Sequence, residues 1–165
     1  MSKKQDIFKQ YDINADGTID FSEFLAMMKD IFPIEKNDNR FVNTFLSIFR
    51  MCDTEGFRKK KDQVIDKKEF KKIQDALQTV DKNEPVEIQI ATFLFNIIDD
   101  NQSDKISIKE LEIFAESLDI GKETAPRFIS EVSNNPLSTE AKLSKIDFVL
   151  WYVKGLKMGE ERNHN

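Results

Sequence analysis

The twelve residues Asp12-Ile13-Asn14-Ala15-Asp16-Gly17-Thr18-Ile19-Asp20-Phe21-Ser22-Glu23 constrain this chain more than any other stretch. Asp12, Asn14 and Asp16 place oxygen-bearing side chains at alternate positions, so that they can converge on one point. Gly17 follows where a sharp turn calls for a positive φ. Thr18 offers its backbone carbonyl, Asp20 a carboxylate that reaches directly or through water, and Glu23 both oxygens of its carboxylate. Ile19 points away from that centre and is free to pair with a neighbouring loop. Six to eight oxygens around one point are what a hard cation such as Ca²⁺ requires. A chance acidic turn would not satisfy so many positions at once.

A second stretch repeats the plan in Asp99-Asp100-Asn101-Gln102-Ser103-Asp104-Lys105-Ile106-Ser107-Ile108-Lys109-Glu110. Its donors are Asp99, Asn101, Ser103, the Lys105 carbonyl, Ser107 and Glu110. Asp104 stands where the turn glycine is expected, and aspartate tolerates the left-handed region better than most residues. Two of these donors carry charge, against four in the first loop, so the second site is expected to bind more weakly. Asp100 and Asp104 add negative field without ligating.

Two further loops lack the pattern. Residues 53–69 make a span of 17, five more than twelve. An ungapped register ending at Glu69 puts Arg58 and Lys60 at ligand positions, where cations cannot serve. Asp53, Glu55, Asp62, Asp66 and Glu69 offer at best an irregular site. Residues 133–147 carry Asn134-Asn135-Pro136-Leu137 where alternating acids should be, and end on Asp147, a carboxylate short for bidentate ligation. Ile65 and Leu143 still occupy the pairing positions, so both loops can fold without an ion, Ile65 facing Ile19 and Leu143 facing Ile106.

Apolar residues recur at three- and four-residue spacing on either side of every loop. Ile7, Phe8 and Tyr11 mark a first helix; Phe21, Phe24, Met27, Met28 and Phe32 a second, closed by Pro33. Phe41, Phe45, Ile48, Phe49 and Cys52 mark a third, and Phe70, Ile73, Ala76 and Leu77 a fourth. Leu94, Phe95 and Ile98 end a fifth; Leu111, Phe114 and Leu118 line a sixth, stopped by Gly121. Thr124 caps a seventh with Pro126 in its first turn; Ile146, Phe148, Val149, Trp151 and Tyr152 line an eighth. The tail from Gly159 to Asn165 is polar and expected to fray. Asp81-Lys82-Asn83-Glu84-Pro85 reads as a bent linker between residues 1–82 and 83–165.

Eight helices in four pairs around such loops resemble the EF-hand superfamily, as in calmodulin-like and sarcoplasmic-type calcium-binding proteins, over about residues 3–157. The resemblance implies an all-α fold of two lobes. Each lobe pairs two helix–loop–helix hands through a short β contact between their loops. Hands 1 and 3 are expected to bind Ca²⁺, and hands 2 and 4 to be structural partners. It implies a calcium sensor that exposes an apolar surface to a protein partner, or a calcium buffer or store whose lobes stay closed.

Other features narrow the function classes. The net charge of −5 disfavours nucleic acid as a partner. Between Arg58 and Lys72 eight residues are basic and three acidic, a surface for weak contact with an anionic lipid or acidic partner if it is more than a solvated face. Such a surface would suit an adaptor. The 14 Phe are expected in the cores of two small lobes, and Met27 and Met28 in core rather than in a promiscuous groove. One cysteine, Cys52, permits no internal disulfide and suits a reducing compartment. Residues 1–6 lack the apolar run of a secretory leader, and no stretch approaches 18 apolar residues, so a cytoplasmic monomer with no transmembrane segment is expected. The only histidine, His164, lies in the tail, and no catalytic constellation is visible, so no enzyme is expected.

Overall fold

A computed structural model describes residues 7–12, 15, 17–35, 38–53, 64–99, 101–117 and 142–163. Among them are seven helices: α1 Ile7–Tyr11, α2 Phe21–Ile31, α3 Val42–Cys52, α4 Lys67–Leu77, α5 Val86–Ile98, α6 Ile108–Ser117 and α7 Lys145–Asn163. Four three-residue strands lie between them: β1 Thr18–Asp20, β2 Val64–Asp66, β3 Lys105–Ser107 and β4 Lys142–Ser144. The fold is all-α with two small antiparallel sheets. The expected seventh helix, with Thr124 and Pro126, lies outside the described residues, as do Leu118 and Gly121 at the expected end of the sixth. α7 continues to Asn163, four residues beyond the Gly159 at which fraying was expected.

β1 pairs with β2, placing Thr18 opposite Asp66 and Ile19 opposite Ile65. β3 pairs with β4, placing Ile106 opposite Leu143. All four apolar residues are fully buried. A three-residue ladder makes too few hydrogen bonds to stand alone, so its persistence rests on this apolar pair beneath it.

The chain forms two compact units, Met1–Asp75 and Ala76–Asn165. The division falls inside α4, upstream of the polar stretch 81–85 that the sequence suggests as the linker. Two amides explain the difference. Asn96 Nδ2 donates to the Ala76 carbonyl at 2.9 Å and to Thr79 Oγ1 at 2.6 Å. Gln89, itself buried, donates from Nε2 to the Glu84 carbonyl at 2.8 Å and to the Lys82 carbonyl at 3.4 Å. Residues 76–84 are thereby fastened to α5.

In the first unit the core is aromatic. Phe8 meets Phe70 edge-on at 5.5 Å, Phe21 meets Phe49 edge-on at 5.6 Å, and Phe32 stacks on Phe45 at 6.2 Å. These are the separations at which ring quadrupoles attract. Phe24, Met27 and Met28 are completely buried, and Phe32 and Cys52 nearly so. α2 ends at Ile31 because Pro33 cannot follow in a helix, and Phe32 N–H closes onto the Met28 carbonyl at 3.0 Å. α3 is entered through Asp38, whose carboxylate takes both Nε and Nη2 of Arg40, while the guanidinium lies 4.8 Å from the Phe41 ring centre. Hydrogen bonding from Arg40 holds the Asp38 carboxyl below its usual range.

In the second unit α5 is the central helix. Residues 89 to 95 are buried without interruption, so it is enclosed on every side, as a core helix is, with Gln89 and Thr92 the polar residues of that stretch. Phe148 on α7 gathers Phe95, Phe114 and Trp151 at 5.9, 6.3 and 5.6 Å. α7 also leaves Ile146 and Leu150 largely exposed. No helix among the described residues is long and apolar enough to cross a membrane.

Candidate metal centres

Hand 1 is assembled from the end of α1, the loop, β1 and the start of α2. α1 delivers Asp12, whose N–H still bonds the Phe8 carbonyl at 2.9 Å. Asp12 then organises the turn from both of its acceptors. Its carbonyl takes Ala15 N–H at 3.0 Å, and its Oδ2 takes Gly17 N–H at 2.9 Å. Ala15 and Gly17 sit at φ 56° and 81°. The glycine fits the turn at no steric cost, whereas Ala15 does not. Thr18 opens β1, where its backbone lies opposite Asp66 of β2. Asn14 and Asp16 lie outside the described residues.

Asp20 and Glu23 form a reciprocal cap at the head of α2. Glu23 N–H donates to Asp20 Oδ1 at 2.8 Å, and Asp20 N–H donates to Glu23 Oε1 at 3.0 Å. Two helix-terminal donors are thus satisfied at once. Glu23 is buried while Asp20 is exposed, so the carboxylate at the end of the loop faces inward.

Hand 3 reproduces this geometry bond for bond. Asp99 N–H bonds the Phe95 carbonyl at 2.8 Å, and Gln102 N–H bonds the Asp99 carbonyl at 3.1 Å. Asp104 N–H bonds Asp99 Oδ2 at 2.8 Å. Gln102 and Asp104 take φ 56° and 66°, the counterparts of Ala15 and Gly17. Aspartate at the glycine position therefore holds the left-handed turn, as expected.

The remaining donors of hand 3 converge. Ser103 N–H faces Asp99 Oδ1 at 3.1 Å and Asn101 Oδ1 at 3.2 Å. The Ser103 hydroxyl has one proton to share between the Lys105 carbonyl at 2.8 Å and Asp99 Oδ1 at 3.2 Å. Glu110 bridges the loop, with Oε1 accepting from Ser107 N–H at 3.0 Å and Oε2 from Asn101 N–H at 3.3 Å. Glu110 N–H returns to Ser107 Oγ at 3.2 Å. All six proposed donors of this loop lie in one network. Its oxygens are carboxylate, amide, hydroxyl and carbonyl, which fit a hard cation such as Ca²⁺ and offer nothing to a soft one.

The two hands expected to be silent keep the same framework. In hand 2, Asp66 and Glu69 form a reciprocal cap at 3.0 and 2.8 Å, and Asp53 and Glu69 are both buried. Residues 54–63, including Arg58, Lys60 and Asp62, lie outside the described residues. In hand 4, Asp147 N–H bonds Ser144 Oγ at 3.2 Å. Its loop residues 133–141 lie outside the described residues. Of the basic stretch, Lys67, Lys68 and Lys71 are exposed, and Lys71 pairs with Asp75 at 3.1 Å.

Sequence reasoning missed three elements here. The repeated caps have a legible signal, Asp or Ser followed three residues later by an acid. The left-handed Ala15 and Gln102 have none, since neither residue favours that region. The third is a contact between helices: Tyr11 donates its hydroxyl to Asp30 Oδ2 at 3.1 Å. Partial burial, reinforced by Asp30, raises the Tyr11 phenol above its ordinary value.

Among known protein families, the model of the EF hand domain matches residues 4–31. No curated protein matches the chain. Several solved structures resemble it loosely. The light-sensitive photoprotein berovin from the ctenophore Beroe abyssicola, in its Ca²⁺-loaded apoprotein state, is 13% identical with TM-score 0.41, covering 94% of this chain and 88% of that one. A calcium-binding protein of Streptomyces coelicolor is 14% identical with TM-score 0.35, covering 91% and 93%. An apoaequorin complex is 19% identical with TM-score 0.34, covering 86% and 75%.

Proposed function

We propose that this chain, an EF-hand calcium-binding protein, is a Ca²⁺ sensor whose first hand offers an apolar surface to a protein partner. The observation that carries this reading is the position of Glu23. It closes the loop, it is buried, and it is the third residue of α2, the helix that also bears Phe24, Met27 and Met28. Any displacement of the Glu23 carboxylate therefore moves that apolar face. Asp12, Asn14, Asp16, Thr18, Asp20 and Glu23 would hold the ion in hand 1, and Asp99, Asn101, Ser103, Lys105, Ser107 and Glu110 in hand 3. A bound Ca²⁺ would supply the positive charge that offsets repulsion among the four carboxylates of the first loop. Hand 3 has two charged donors and is the weaker site. Hands 2 and 4 complete each lobe by covering the apolar face that a lone hand would expose.

A buffer is the second reading, and one observation favours it. Phe24, Met27, Met28 and Phe32 are at most 1% exposed, a fully closed face. The two readings diverge in their response to the ion. A Ca²⁺ titration by calorimetry, run beside an apolar-surface dye, should show two sites of unequal strength, with dye binding that follows the tighter one. Two sites with a flat dye signal would leave the buffer.

A further inference from the structure

We propose that the Tyr11–Asp30 hydrogen bond is a latch that holds hand 1 shut and sets the Ca²⁺ concentration at which it opens; this rests on the sensor reading. Tyr11 is the last residue of α1 and Asp30 lies in the last turn of α2, so the bond joins the entering helix of the hand directly to its exiting helix. α1 has a second tie of a different kind. Phe8 is buried against Phe70 of α4 with ring centres 5.5 Å apart. That apolar contact fastens α1 to the neighbouring hand. If α2 swings outward with Glu23, α1 stays on α4, and the separation strains this directional tie between α1 and α2.

The chemistry suits a latch. Met27 and Met28 are buried by apolar contact, which is non-directional and yields gradually as surfaces slide. A hydroxyl-to-carboxylate bond is directional and is lost within about an ångström of movement. Asp30 is exposed, so water solvates its carboxylate as soon as the bond parts. The latch is therefore reversible and leaves no buried charge behind. Its contribution to the closed state must be overcome by ion binding, and it appears as a weaker apparent affinity at hand 1.

The test uses the full chain with Tyr11→Phe, Asp30→Ala and the double variant. Tyr11→Phe keeps the ring and removes only the donor. It should tighten the stronger site by about three- to tenfold, the equivalent of one net hydrogen bond, and move the dye midpoint to correspondingly lower Ca²⁺. Asp30→Ala also removes a charge, so its own effect is mixed. The double-variant cycle isolates the pair: in the Asp30→Ala background Tyr11→Phe should change nothing. Amide exchange along α2, measured in chelator, should speed up by the same factor in Tyr11→Phe. A wild-type dye response with an unmoved midpoint in Tyr11→Phe, or additive effects in the cycle, overturns the latch and leaves the sensor standing. A wild-type chain that binds Ca²⁺ with no dye response overturns the sensor reading, and the latch with it.

Discussion

Replacing Ile65 with alanine tests whether the second hand supports the first. Ile65 is fully buried and lies directly opposite Ile19, the residue that anchors the first loop. The change removes three methyl or methylene groups, at about 0.8 kcal/mol each for lost burial. The cavity left behind brings the total to about 3 to 4 kcal/mol, inside the usual range for such truncations. The first unit spans Met1–Asp75. A domain of that size loses roughly 4 to 8 °C of melting temperature per kcal/mol, so Ile65→Ala should lower its transition by roughly 12 to 30 °C. Ile65→Val removes one group and should lower it by roughly 4 to 8 °C. The assay is thermal melting by far-ultraviolet circular dichroism, in chelator and in Ca²⁺. The transition of the first unit is the one whose Ca²⁺-induced rise is lost in Glu23→Gln. Saturating the site at a hundred times its Kd should return about 2.7 kcal/mol to the variant. A shift below about 5 °C for Ile65→Ala, with Ca²⁺ affinity at hand 1 unchanged, would refute the supporting role assigned to hand 2.

Glu23→Gln should abolish the tighter site in calorimetry yet shift melting in chelator by less than about 1 kcal/mol, because the amide oxygen can still accept from Asp20 N–H. Asp104→Gly should relieve the left-handed strain at φ 66°, and the unfolded-state freedom of glycine takes back part of the gain. The net is a stabilisation of under about 1 kcal/mol, read as a higher urea midpoint for the second unit. The converse change, Gly17→Ala, meets open space around its Cβ and should cost about 1 kcal/mol through its φ of +81° alone. For Asp38 the folded pKa is lowered by Arg40, so its contribution is complete above about pH 4 and disappears as pH falls through that lowered value. Asp38→Asn should flatten the acid limb of stability between about pH 2 and 5, by no more than about 1 kcal/mol for so exposed a pair.

The legible part of this protein was whatever a short window of residues determines. Asp12 to Glu23 declared a loop because oxygen donors, glycine and a terminal glutamate must fall at fixed spacings. Ile19, Ile65, Ile106 and Leu143 declared their pairing because each holds the same place in its loop. Asp104 could be read as a tolerable left-handed residue from its side chain alone. What stayed hidden depends on distant partners. Tyr11 and Asp30 are ordinary residues nineteen positions apart, and nothing local joins them. The division between the compact units depends on distant partners in the same way. Asp81 to Pro85 has the composition of a linker, but Gln89 and Asn96, several residues away on α5, bind the chain around it. The extent of α7 was shortened because its polar end offers no apolar stripe to follow.

The capping pairs bear on timing. Asp20 with Glu23, Asp66 with Glu69 and Ser107 with Glu110 each fix the first turn of an exit helix through the chain's own atoms. An ion arriving at hand 1 or hand 3 therefore meets a helix already nucleated and a glutamate already facing the loop. Capture at both hands should run at similar speed, and the difference between them should lie in residence time. In a stopped-flow experiment with a chelator, the second loop would empty first.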